Sequence, residues 1–140
     1  MIYPTDAQGI FDTTAQHLFQ QGKRATVEVL NTTNEKIGEA CRYRGDNGLM
    51  CAAGRHIKDD EYRFGMEGND IHCVVFEFIN STGFERLRPH VLLLSGLQDA
   101  HDNAQNWQST ATMRAVLRDV ADQRGLNPAI LDTLSFADGR

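Results

Sequence analysis

The residues best equipped for chemistry crowd into one stretch of this 140-residue chain, Cys41 to Ile57, which reads CRYRGDNGLMCAAGRHI. Arg42 and Arg44 stand two apart, so on a strand both project from one face while Cys41 and Tyr43 project from the other. With Arg55, His56 and Lys58 just beyond, the cationic face could grip a phosphate or carboxylate through bidentate hydrogen bonds. The plainer reading is a set of solvated cations offset by Asp46, Asp59, Asp60 and Glu61.

Cys41, Cys51 and Cys73, with His56 and His72, offer the ligand types that zinc prefers. No pair has the spacing of about two to four residues that lets one turn present both ligands. The thiols are therefore expected to pack as small hydrophobes behind the arginine face, with no metal and no cofactor. His101 and Asp102 form the dipeptide of the HD-type metal-dependent phosphohydrolases, and His90 and Asp119 are the further ligands such a site would recruit. A lone dipeptide describes equally well a histidine complementing a helix C-terminus. There is no G-x-S-x-G elbow and no phosphate-cradling G-x-x-x-x-G-K, and Cys51 with His56 is only a formal nucleophile pair. The balance leans away from an enzyme.

Several elements must position these residues. Thr5, with Gln8 three residues on, suits the start of a helix that places Ile10, Phe11, Leu18 and Phe19 near one face and ends at Gly22. Residues 24–30 alternate in the manner of a half-buried strand, and Asn31 to Asn34 break it as a turn. Ala40 to Arg44 and Leu49 to Ala53, joined by Gly45 to Gly48, predict a β-hairpin over about 40–53. Ile71, Val74, Val75, Phe78 and Ile79 follow a helical stripe, with a strand as the alternative. Pro89 introduces a mostly buried helix running toward Asp102, and Ser109 or Thr110 caps another that Gly125 closes. Trp107, ahead of that helix, is expected to cover the core. Asn127 and Pro128 start a last short helix, and residues after Ser135 are expected to fray. The sum is a helix-rich α+β single domain, 1–140, with a small antiparallel sheet in which 24–30 is a third strand.

A net charge of −5 works against binding nucleic acid or an acidic membrane directly. The longest apolar run, Val91 to Leu94, is far too short to span a bilayer. An odd number of cysteines without a signal-like leader predicts reduced thiols and a cytoplasmic location.

At the hairpin the chain resembles a family of small uncharacterised phage and prophage proteins. They share an N-terminal Ile-Phe pair, C-x-Y-R-G-x-x-G-x-x-C-A-x-G, and an Ile-x-Asp-Asp/Glu-x-Tyr run. Here these are Ile10 and Phe11; Cys41, Tyr43, Arg44, Gly45, Gly48, Cys51, Ala52 and Gly54; and Ile57, Asp59, Glu61 and Tyr62. Leu97, Gln98, His101 and Asp102 also look like the family's later segment, whereas Arg55 and His56 depart from its pattern. The resemblance implies an accessory protein working in a host cytoplasm, binding a host protein as a counter-defence inhibitor. The alternatives are a sponge for an anionic nucleotide-like signal, held by Arg42, Arg44, Arg55 and Lys58, and an HD-like phosphohydrolase.

Overall fold

Asp6 opens the first helix, α1 (Ala7–Gln21), its carboxylate accepting the Gly9 N–H at 2.8 Å in the computed structural model, which describes residues 1–78 and 82–140. The cap falls one residue after the expected Thr5, because a carboxylate there makes the stronger, charge-assisted bond to a free amide of the first turn. Gln8 does not reach back to the cap. It exchanges two hydrogen bonds with the Asn127 backbone, each 2.9 Å, and so ties α1 to the far end of the chain. The buried stripe is Ile10, Phe11, Thr14, Ala15, Leu18 and Phe19, and Gly22 stops the helix as the spacing indicated.

Strands β1 (Thr26–Leu30) and β2 (Lys36–Cys41) pair antiparallel, with Thr26 opposite Cys41 and Glu28 opposite Glu39. The strand expected at 24–30 is present, but its partner is 36–41 and not the 40–53 hairpin. That hairpin reduces to a single bridge between Arg44 and Met50. The reason lies in the turns. Asn31 Oδ1 accepts the N–H groups of Thr33 and Glu35, at 3.0 and 2.9 Å, which folds the polar run into the connection of the true hairpin. Residues Asp46–Gly48 form a 3-10 turn, and beyond Met50 the chain coils into another at Gly54–His56.

Helix α2 (Ile71–Glu77) is capped by Asp70 and buries Ile71, Val74 and Val75, so the stripe is helical and not a strand. Phe78 is its cap residue, and Ile79, the last member of that stripe, lies outside the described residues. A 3-10 turn carrying Pro89 leads into α3 (Val91–Asp102), which buries Leu93, Leu94, Leu97, Ala100 and His101. Ser109 caps α4 (Thr110–Arg124), and Gly125 closes it. The last short helix is a 3-10 turn, Ala129–Thr133.

The chain does not fray after Ser135. Phe136 is buried, its ring centroid 4.8 Å from Phe19 and 5.8 Å from Trp107, and Arg140 donates to the carbonyls of Trp107 and Gly22, each at 2.7 Å. An aromatic anchor and a fastened guanidinium outweigh the tendency of a terminal segment to move. The helix-rich α+β class holds, around a hydrophobic core to which all four α-helices contribute. No helix among the described residues is long and apolar enough to cross a membrane.

Candidate functional site

Arg44 turns into the protein. Its guanidinium donates to the carbonyls of Gly54 (2.7 Å) and Ile57 (2.6 Å), with Asp59 at 3.3 Å, and lies 5.1 Å from the Tyr62 ring centroid. Those carbonyls belong to the coil that replaces the second expected strand, so Arg44 holds its shape. Glu67 completes the knot by accepting the N–H groups of Tyr43 and Arg44, at 2.8 and 3.1 Å, and the Tyr62 hydroxyl at 2.7 Å. The glycines of the motif fit the same account. A methyl on Gly54 would sit 2.4 Å from the Tyr43 carbonyl oxygen, and one on Gly45 would sit 2.8 Å from Thr26 N. Sequence reasoning missed Glu67, because a lone glutamate in a loop carries no periodic signal.

The five candidate anion-binding residues gather in two groups. Arg42 lies over Phe64 (5.5 Å to the centroid), close to Arg44. Arg55 and Lys58 both lie 5.5 Å from the Tyr3 centroid, where Arg86, which no pattern singled out, joins them at 5.7 Å. Arg86 forms a two-point ion pair with Glu61, both contacts 2.8 Å. Burial pushes the Glu61 carboxyl up, but its bonds to Arg86 and to the Lys58 N–H outweigh that and hold it below its usual range. His56 is fully buried. Thr14 gives its hydroxyl proton to Ile10 O, so its oxygen accepts from His56 Nε2 at 2.7 Å, while Nδ1 has no hydrogen-bond partner among the described residues. Burial first, and then the Arg55 charge, lower the His56 pKa to about 3. His56 is an internal strut and carries no charge to a ligand near neutral pH.

The histidine-aspartate dipeptide acquires a thiol. Cys41 Sγ, a ring nitrogen of His101 and a carboxylate oxygen of Asp102 lie within 4.8 Å of one another, the only such group among the described residues. His101 Nε2 accepts the Ala25 N–H at 2.9 Å, so the ring proton sits on Nδ1 and is donated to Asp102 at 2.7 Å. A metal at Nδ1 would force a proton onto Nε2 and set it against the Ala25 N–H in a buried position. These donors fit a metal poorly. His90 bonds to Thr5 O at the opposite end of α3, and Asp119 is exposed on α4, so neither joins the group. Burial and then the Asp102 charge raise the Cys41 pKa, which keeps the sulfur a thiol and a poor nucleophile. Cys51 is buried, pushed up to about 12, and accepts the Gly54 N–H at 3.2 Å. Cys73 and His72 stand apart on α2, the thiol bonded to Glu77 and the imidazole tilted against the Phe76 ring.

A cleft of about 290 Å³ opens beside Cys41 and Asp102, and Glu67, Asp70 and Asp99 also line it. What joins Cys41 to His101 is the pairing of β1 with β2, which brings Cys41 opposite Thr26, next to the Ala25 amide. That link spans elements far apart in the chain and leaves no local spacing to read. No family model, no curated protein and no solved structure matches this chain.

Proposed function

We propose that this chain is a non-enzymatic binding protein of the phage accessory type, a counter-defence inhibitor that docks on a basic protein of the host cytoplasm. The observation that carries the reading is the β1–β2 ribbon. Its outer half exposes Val29, Leu30 and Ile37, the last 65% exposed, and both strands have an open edge among the described residues. Two-stranded ribbons are marginal alone, and an open edge beside exposed apolar residues is suited to strand addition by a partner. The acidic balance of the chain, −5, and the carboxylates Glu28, Glu35 and Glu39 of the ribbon, which Lys36 and Arg24 offset only in part, favour a basic partner.

The competing readings have less support. A phosphohydrolase would need a lone pair from His101, and both of its ring nitrogens are engaged. A nucleotide sponge would need Arg44 free, and both of its terminal nitrogens are engaged, by the Gly54 and Ile57 carbonyls and the Asp59 carboxylate.

Two variants test the reading, Ile37→Asp and a charge-removing Glu28→Gln, Glu39→Gln pair, used as bait in host lysate with native mass spectrometry of what is retained. A stoichiometric protein, lost from the first variant and weakened in the second, supports it. Retention unchanged in both variants, or no stoichiometric protein at all, overturns it.

A further inference from the structure

Thr13, Gln16, His17 and Gln20 fall at i, i+3, i+4 and i+7 on α1 and so share one face. Opposite them stands Arg55, and a cavity of about 250 Å³ lies between, with Met1 and Met50 completing its lining. In a chain of net charge −5, none of the lining residues is acidic.

Arg55 is the key observation. Among the described residues no carboxylate pairs with it and no acceptor receives its guanidinium, and its Nη1 is buried without a partner. Burial lowers its pKa, and the facing Tyr3 offsets that only in part. Lys58 stands at the same Tyr3 ring, while Arg86, also there, is paired with Glu61. Nη1 has no accessible surface, so an oxyanion in the cavity would meet the guanidinium at Nε or Nη2, which also have no acceptor among the described residues and are not fully buried. The side chains of Thr13, Gln16 and Gln20 are engaged with nothing else among the described residues, so three neutral donors are at hand. His17 is otherwise occupied, donating Nε2–H to the Met50 carbonyl at 2.8 Å.

We propose that this cavity is a binding site for a small oxyanion, a phosphate or carboxylate group held by Arg55 and by the Thr13, Gln16 and Gln20 side chains. Its volume is below the roughly 300–1,000 Å³ of sites that enclose drug-sized ligands, so the group recognised is small and not a whole nucleotide. The Arg42 and Arg44 side chains take no part. The site is independent of the ribbon, and either can exist without the other.

The test is an NMR titration of the full chain with inorganic phosphate and, separately, with acetate, each at constant ionic strength against chloride. Saturable shifts confined to the 13–20 face and the Arg55 side chain are expected from at least one oxyanion. Arg55→Gln should weaken binding about tenfold or more, a loss of at least roughly 1.4 kcal/mol. Gln16→Glu, a change at an exposed helix position that leaves the fold intact, should weaken it as well by bringing in a negative charge. Saturation by phosphate alone or by acetate alone would tell the two sources apart. Shifts that chloride reproduces, that never saturate, or that survive Arg55→Gln would overturn the proposal.

Discussion

The Ala25 amide donates to His101 Nε2 at 2.9 Å, and through that contact the last turn of α3 holds the entry of β1. Asp102 fixes the tautomer from the other side of the ring, at 2.7 Å, and Trp107 Nε1 donates to the His101 carbonyl at 2.8 Å. Replacing the ring by one of similar volume leaves a buried N–H without an acceptor. His101→Phe should therefore destabilise the fold by about 1–3 kcal/mol. Urea denaturation checks this, and an unchanged midpoint would show that Ala25 finds another partner.

Two glycines should respond in opposite ways to alanine. Gly54→Ala puts a methyl 2.4 Å from a backbone oxygen, whereas at Gly38 nothing lies within 4 Å. The first variant should lose several kcal/mol, on the order of the overpacking costs in cores. The second should stay within about 1 kcal/mol of the parent or gain slightly by stiffening the unfolded chain. Thermal melts of the two variants side by side decide it.

His56 sets a pH dependence whose sign follows from its lowered pKa. The unfolded chain takes up a proton below the usual histidine value of about 6.5, while the folded chain resists until about 3. Stability should therefore fall as pH drops through that window, by up to about 1.4 kcal/mol per unit. Glu61, held low by Arg86, adds its own loss beginning near the ordinary carboxylate range. Comparing denaturation midpoints of the parent and His56→Leu from pH 7 to pH 4 isolates the histidine. Parallel curves would contradict it.

Thiol reactivity should sort by environment. Cys51 is buried with its pKa pushed up to about 12, while Cys41 and Cys73 are partly exposed. A disulfide reagent near neutral pH should modify Cys73 and, more slowly, Cys41 in the folded protein, leaving Cys51 untouched until denaturant is added. Mass spectrometry of the peptides reads the order.

Removing residues 136–140 takes away the Phe136 ring, the Arg140 guanidinium bonds to Trp107 and Gly22, and the Arg140 carbonyl that accepts the Thr110 N–H. Loss of a buried phenylalanine alone costs about 3–5 kcal/mol. The truncated chain should melt far earlier, with an altered Trp107 emission spectrum, because Phe136 stacks on that indole.

What the sequence disclosed and what it concealed divide by the range of the interaction. Caps, stops and stripes are local, so α2, α3 and α4 could be read from Asp70, Pro89, Ser109 and Gly125 with little error. Strand pairing is not local. The turn-rich Gly45 to Gly48 segment competed with Asn31 to Glu35 for the hairpin, and Asn31 won through side-chain bonds that no residue count reveals. The arginine face misled for a related reason. Alternation shows which residues share a side of a strand, but Arg44 left its strand to bind two carbonyls that exist only once 51–57 has coiled. Arg55 was singled out for its charge. Its position opposite the polar stripe of α1 depends on packing across more than thirty residues and had no signature.

The Gln8–Asn127 exchange joins residues 119 apart in sequence, and Arg140 reaches Gly22 across 118. During synthesis α1 leaves the ribosome before Asn127 and Arg140, the residues that complete these contacts. Closing so long a loop is entropically unfavourable until the intervening helices have packed. Until those residues emerge, Ile10, Phe11 and Phe19 must stand with part of their native covering unmade. In that interval chaperones have more apolar surface to hold than in the finished fold.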